Sequence, residues 1–322
     1  PSMDIDKLNS FLVLAKKGNF ARASELLYIS QPALSKRIQA LEEELQVPLF
    51  NRIGSRSYLT TEGRNFLQYA QQIVSTYNLA IEDMHQIKGL ETGTLSFGAT
   101  NFIGVYIMPR FISHFHRTYP KIRINMIIND SRTILDMLHK NQLEFAVISD
   151  YILRDKASRD QYISRSFLED RLALVVGSAH PLFGRDHCSL REVEEDLYIS
   201  KTKHSSQNQF LEELFREHAF YFKNRMVIGN QEAVKECVIN NIGISILSTR
   251  SVAQEVLNRR LATLKLDEFE IKREIQYTCL KGRHLTPAAK AFLDTLPPLG
   301  PPLRGQPADQ ISEGTIEANV TR

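Results

Sequence analysis

The chain has few of the features that announce chemistry. Its three cysteines, Cys188, Cys237 and Cys279, stand far apart with no C-x-x-C spacing. That argues against a disulfide framework or a thiolate zinc site and fits idle thiols in a reducing compartment, by default the cytoplasm. No apolar run nears the roughly 20 residues that a bilayer-spanning helix needs, and the N-terminus shows no basic-then-apolar secretory pattern, so a soluble chain without membrane contact is expected. One-sided charge is missing too. Lys and Arg number 40 against 37 Asp and Glu, a formal +3, so any nucleic-acid role must rest on where charges sit. G-x-S-x-G, the P-loop pattern and G-x-G-x-x-G are all absent, which leaves hydrolase, nucleotide-binding and dinucleotide-binding readings unsupported and points away from an enzyme. His114 and His116 lie two apart on a predicted helix, face different ways and suit no shared metal; His180-Pro181 reads as a turn. No cofactor and no metal are expected. What the chain does have is length, since 322 residues suffice for two or more domains with separate cores.

The first sixty residues carry the most information. Asp6 is a candidate cap for a helix through Leu8, Phe11, Leu12, Leu14 and Ala15, which Gly18 stops. Asn19 can cap a second, shorter helix through Ala23, Leu26 and Leu27 to Tyr28. Ser30 then caps a third, with Pro32 in the first turn, where a missing N–H is harmless. Helices two and three, joined by so short a turn, have helix-turn-helix geometry. On a wheel of about 100° per residue, Leu34, Ile38, Leu41 and Leu45 share one sector, while Gln31, Pro32, Ser35, Lys36 and Gln39 share another about a third of a turn away. A core helix needs only the first sector. In the second, Gln31, Ser35 and Gln39 can pair with base edges, Pro32 and the Ala33 methyl can touch thymine methyls, and Lys36 can neutralise a phosphate. A solvated polar face is the plainer alternative. Glu42 and Glu43 continue that face where phosphates would repel them, so only the N-terminal half is expected to enter a groove. The stretch from Phe50 to Leu59 reads as a hairpin around Gly54-Ser55, a wing able to lay Arg52 and Arg56 on the backbone or in the minor groove.

These residues carry a resemblance. "FARASELLYISQPALSKRIQALEEELQVPLFNR", followed by "LTTEG", resembles the N-terminal winged helix-turn-helix of LysR-type transcriptional regulators. One departure is Gln46, where that family usually has Gly; glutamine there is expected to continue the last helical turn.

Residues 61–90 read as a linker helix with Phe66, Ala70, Ile73, Tyr77, Ala80, Met84 and Ile87 spaced four and three apart, a coiled-coil seam that calls for a partner helix, most simply from a second subunit. A helix lying on its own effector domain is the alternative. Gly89 and Gly93 then cut the helix loose. Beyond them come strand-then-helix units: "TLSFGAT", a helix from Val105 to Thr118, "IRINMII", "FAVIS", "RLALVVG", a Ser189/Glu192 capping box, "LYIS", "NRMVIG" and "ISILS". The reading is an α/β effector domain over residues 91–297, made of two Rossmann-like subdomains (91–165 with 268–297, and 166–267), after an all-α winged helix-turn-helix domain (1–60). The crossings fall near Ser164 to Leu168 and near Leu266 to Glu270, and residues 298–322 read as a disordered tail. The resemblance implies the same layout, similar to periplasmic binding proteins, with a ligand cleft at the strand ends.

At those ends stand Thr100, Asn101, Ser131, Ser200, Thr202 and Asn230, small polar residues able to fix a ligand's oxygens, although each also suits plain capping or turn chemistry. Lys201, Lys203 and His204 on one lip lean toward an anionic effector. The resulting expectation is a cytoplasmic LysR-type regulator that binds double-stranded DNA at a pseudo-palindromic operator, forms a homodimer and is switched by a small, anionic effector. The resemblance adds a tetramer and RNA polymerase as a further partner. The rival is a small-molecule-binding protein or enzyme whose N-terminal helices only mediate oligomerisation.

Overall fold

The computed structural model describes residues 3–86, 92–154 and 160–299. The N-terminal domain opens with α1 (Ile5–Lys17), α2 (Phe20–Leu26) and α3 (Gln31–Leu45). Asp4, not Asp6, caps α1 by accepting from Lys7 N at 2.8 Å. Asp6 instead lies in the first turn and pairs with Arg37 at 3.2 Å. Gly18 ends α1 at φ 62°, the left-handed conformation open to glycine at no steric cost. Asn19 caps α2, accepting from Arg22 N at 3.0 Å. The helix stops short of Tyr28, itself at φ 53° in the turn. Ser30 Oγ accepts from Ala33 N at 3.3 Å and starts α3. Leu8, Phe11, Leu14, Leu34, Ile38 and Leu41 meet in one core.

At the end of α3, Gln46 does not extend the helix. It adopts φ 58°, ψ 24° and donates its N–H to Glu42 O, so a residue with a Cβ holds the left-handed cap that glycine takes freely. Gln46→Gly is therefore expected to raise stability by about 0.5–1 kcal/mol, part of the relief being offset by the more flexible unfolded chain. A higher urea midpoint at unchanged m-value would register it.

Strands β1 (Phe50–Ile53) and β2 (Arg56–Leu59) pair antiparallel with Ile53 opposite Arg56, leaving Gly54 (φ 60°) and Ser55 as the turn. The linker helix α4 (Thr61–Gln86) follows at once. Thr60 Oγ1 accepts from Gly63 N at 2.9 Å and donates to Pro48 O at 2.8 Å. Gly63 lets α4 pass this close, since a Cβ there would lie 2.2 Å from Leu49 O. Ile87, Lys88 and Gly89, expected at the end of this helix, lie outside the described residues, as does the expected tail from residue 300 onward.

The C-terminal domain runs β3 (Gly93–Thr100), α5 (Asn101–Tyr106), α6 (Met108–Thr118), β4 (Ile122–Asn129), α7 (Ser131–His139), β5 (Phe145–Ser149), β6 (Tyr162–Gly177), β7 (His187–Cys188), β8 (Leu197–Ser200), α8 (Ser206–Glu217), β9 (Asn224–Val227), α9 (Gln231–Ile239), β10 (Ser245–Ser248), α10 (Ala253–Leu257), β11 (Leu261–Leu266), β12 (Ile271–Leu280) and α11 (Pro287–Asp294). The single helix expected from Val105 to Thr118 is two, broken at Ile107, because Pro109 follows so closely and cannot supply an N–H. The capping box forms as Ser189 and Glu192.

One sheet of order β4-β3-β5-β12-β6-β11-β7, with β10 also on β6, runs through both lobes, and β8 and β9 form a small parallel pair. The long strands β6 and β12 lie antiparallel and belong to both lobes, with a register shift between Ile275 and Gln276. Phe97, Phe145, Phe167, Ile275 and Phe292 fill the first core; Leu174, Tyr198, Phe215, Phe222, Leu264 and Ile271 fill the second. Ile271 packs in the second core and Ile275 in the first, so β12 passes from one lobe to the other between these two residues. In the fold Ile271, Arg273 and Ile275 alternate inward along a strand.

Candidate functional site

On α3, Leu34, Ile38 and Leu41 are at most 1% exposed, while Gln31, Pro32, Lys36 and Gln39 are exposed and Ala33 and Ser35 half-buried. The polar sector therefore stands clear of the interior. Gln39 Nε2 donates to Glu43 Oε1 at 2.8 Å, a one-turn contact on the helix surface that a stronger partner can replace. Glu42 is not part of a repelling surface. Its Oε1 accepts from Leu49 N at 2.6 Å and Phe50 N at 3.1 Å and so holds the entry to the wing. Arg52 and Arg56 are both exposed on the wing. The Arg52 guanidinium lies 4.2 Å from the Phe20 ring centroid, and Asn19 Nδ2 donates to Ser55 O at 2.8 Å, fastening the wing tip to α2. Tyr28, in the turn before α3, is 96% exposed. The helical pattern assigned it to the end of α2 and so missed it as an exposed, polar-tipped aromatic beside α3.

The α4 seam divides. Ala70 and Val74 are buried, with Phe66 against them, in the N-terminal domain's own core, so the first part of the expected seam serves one chain. Ile73, Tyr77 and Met84 are 43%, 46% and 58% exposed, and Ala80 is exposed with them. About a third of a turn away, Gln72 Nε2 donates to His139 O at 3.4 Å, Ser75 Oγ donates to Asn141 O, and Thr76 Oγ1 accepts from Asn141 Nδ2 at 3.4 Å. The helix thus does rest on the first lobe, by its polar face, while an apolar stripe stays open. Asn141 sits at φ 56°, in the left-handed region.

Between the lobes, Thr100 is half-buried and makes no side-chain cap for α5; Asn101 and Thr202 are exposed. Ser131 Oγ hydrogen-bonds Ser206 Oγ across the cleft. Ser200 is buried, its hydroxyl 3.5 Å from Met226 O. Asn230 Oδ1 caps α9, accepting from Glu232 N at 2.8 Å and Ala233 N at 3.3 Å. Some of the six are therefore engaged in capping or lobe contacts, leaving Thr100, Asn101 and Thr202 as the more open groups. Elsewhere along the cleft, Tyr106 OH donates to Glu232 Oε1 at 2.6 Å and accepts from Lys235 Nζ at 2.9 Å, and Tyr151 stacks on Phe210 at 4.8 Å.

Sequence patterning missed what lies deepest. Arg273 has a side chain 2% exposed and donates from Nε to Asp170 Oδ2 at 2.8 Å. Its Nη1 donates to Tyr151 OH at 3.2 Å, and its plane lies 4.4 Å from the Phe102 ring centroid. Its Nη2 has no partner among the described residues. Burial, and after it the positive charge of Arg273, pull the Lys201 ammonium below the usual lysine range. Away from the cleft, His114 lines a surface pocket with Lys290 and Asp294. Among the described residues no three His, Cys, Asp or Glu side chains are grouped to hold a metal, and no helix is long and apolar enough to cross a membrane.

Comparison with known proteins decides the family. Residues 5–64 match the model of the bacterial regulatory helix-turn-helix protein, lysR family, and residues 88–298 that of the LysR substrate binding domain. The chain belongs to the LysR family. Among the relatives of this LysR-family protein, the HTH-type transcriptional activator CmpR of Synechocystis is 32% identical over 89% of this chain and 92% of that one. Full-length CbnR, solved with its target DNA, shares the fold with a TM-score of 0.69 at 19% identity, covering 91% of this chain and 99% of that one. The CcmR regulatory domain of Synechocystis, solved with 2-PG, gives a TM-score of 0.56 at 24% identity over 64% of this chain and 96% of that one. As a LysR-family member the chain is a DNA-binding transcriptional regulator with a C-terminal effector-binding domain, and not an enzyme.

Proposed function

We propose that this regulator reads a pseudo-palindromic operator as a homodimer in the cytoplasm and is switched by a small anionic effector held between the lobes. Gln31, Ser35 and Gln39 face base edges, Pro32 and Ala33 face thymine methyls, and Lys36, Arg52 and Arg56 hold phosphates or the minor groove. The observation carrying this reading is the contrast on α3 between a fully buried aliphatic stripe and a polar sector whose Gln31, Pro32, Lys36 and Gln39 are exposed. The open stripe of Ile73, Tyr77, Ala80 and Met84 supports pairing of two α4 helices, which sets the spacing of two readers; tetramers and contact with RNA polymerase build on that dimer.

In the effector domain, Thr100, Asn101, Ser131, Ser200, Thr202 and Asn230 are the positions around the ligand. The relative solved with 2-PG supports a small ligand for such a domain. An effector that favours one lobe arrangement over another shifts the population of dimer geometries and with it the fit to the operator. Lys36→Ala and Arg56→Ala are each expected to weaken binding to all DNA sequences and to lower the slope of log affinity against log salt by about 1. Fluorescence anisotropy with an operator fragment over a salt series measures this, and an unchanged slope in both variants removes the two residues from the interface.

A further inference from the structure

Tyr28 lies between α2 and α3, and its neighbours fix its backbone. Leu27 and Ile29, on either side of it, are half-buried against the N-terminal core. Tyr28 N donates to Glu25 O at 3.2 Å and Ile29 N to Ser24 O at 3.1 Å, the paired cap of a helix C-terminus that places the residue in the left-handed region. Tyr28 accordingly stands at φ 53°, an angle that strains a residue carrying a Cβ. Its side chain offsets none of that strain. The ring is 96% exposed, and among the described residues the hydroxyl has no hydrogen-bond partner. Asn141 and Asn241 stand at similar angles, 56° and 57°, but each uses its side chain: Asn141 Oδ1 accepts from Arg283 Nη1 and Asn241 Oδ1 from Ala179 N, both at 2.8 Å. A fully exposed tyrosine on a fixed, strained backbone has the form of a contact residue, since it offers a large amphipathic surface with only two side-chain torsions to order.

What it meets follows from where it stands. A helix-turn-helix puts the first residues of its second helix into the major groove, while the helix before it crosses the backbone. Gln31 is three residues beyond Tyr28, at most about 11 Å along the chain, and the groove is roughly 12 Å wide. With Gln31 at a base edge, the turn therefore lies over the phosphates that border the groove. A phenol there is neutral and has one O–H to donate. We propose that Tyr28 is a further DNA-contacting residue, its hydroxyl donating to a phosphate oxygen at the lip of the groove and so fixing how far α3 enters. This rests on α3 being the reading helix and deepens that reading. It also gives Tyr28 a signature unlike that of Lys36, Arg52 and Arg56, because a neutral donor adds affinity without displacing a counterion.

The test uses the full-length protein, fluorescence anisotropy over a salt series and two duplexes: the tightest binder that wild type selects from a randomised pool, and an unselected mixed-sequence duplex of equal length. Tyr28→Phe removes only the hydroxyl. Tyr28→Gly removes the whole side chain and suits the left-handed angle, so the domain keeps its fold, which circular dichroism checks. Both variants should lose about tenfold in affinity, the range of one hydrogen bond to a charged group. The loss should be alike on both duplexes, because a phosphate contact carries no sequence information, and the salt slope should stay at the wild-type value. Wild-type affinity in either variant overturns the proposal. So does a loss confined to the selected duplex, which places Tyr28 on a base, and so does a lowered slope, which marks a displaced helix. In each of those cases the effects of Lys36→Ala and Arg56→Ala, measured alongside, leave α3 standing as the reading helix. If those two variants also keep wild-type affinity and slope, α3 and the wing are not the interface and the underlying reading falls too.

Discussion

Asp170→Ala is expected to destabilise the effector domain by about 3–5 kcal/mol, because breaking a buried ion pair strands its partner. Asp170 is 0% exposed. It accepts from Arg273 Nε at 2.8 Å and from Ser248 Oγ at 2.7 Å, and the Arg273 side chain, 2% exposed, is left charged and buried once the carboxylate is gone. Neutralising both partners by Arg273→Met with Asp170→Asn is expected to cost far less, since no charge is then left buried. Urea unfolding followed by near-ultraviolet circular dichroism distinguishes the two. A single change as mild as the double one would mean that the site relaxes open to solvent and that Arg273 is not confined as described.

The other large effect concerns assembly. Tyr77→Glu combined with Met84→Glu places charge on two α4 positions that are 46% and 58% exposed within one chain, so each subunit should fold with little penalty while a paired helix seam cannot form. A monomer engages one half-site only. Operator affinity is then expected to fall by about 100-fold or more, the scale of lost avidity, with no change in the fold of either domain. Sedimentation velocity would show a monomer and gel shift would show the weakened binding. A variant that still sediments as a dimer would move the interface off this stripe, and a monomer that keeps wild-type operator affinity would break the link between pairing and recognition.

How much of this was legible in the residues depended on distance along the chain. Ser30, Pro32 and the 3.6-residue spacing of Leu34, Ile38 and Leu41 mark α3 because each acts on its own helical turn. Asn19 and Gly18 did the same for the turn between α1 and α2. Asp6 was mistaken for the α1 cap because two aspartates compete two residues apart, and which one reaches a free N–H depends on backbone angles that composition does not record. Gln46 misled for a related reason. A glutamine prefers to extend a helix, but Val47, Pro48 and Leu49 must turn back onto the core, and that demand forces the left-handed angle against propensity. The heptad spacing in α4 was real, yet its Phe66 and Ala70 turned out to face the N-terminal core, since periodicity reports an apolar face and not what covers it.

By itself, then, the order of residues determined the helix-turn-helix, its exposed polar sector, the alternation of strands and helices, and through motif similarity the family. Only tertiary structure decided the cleft. Arg273 meets Asp170 across 103 residues and Ser131 meets Ser206 across 75. Glu42, apparently one more acid on a helix face, proved to hold the wing. Caps and periodicities arise from forces acting within a turn or two of chain, whereas a buried charge is defined by whichever distant groups the packed core brings against it.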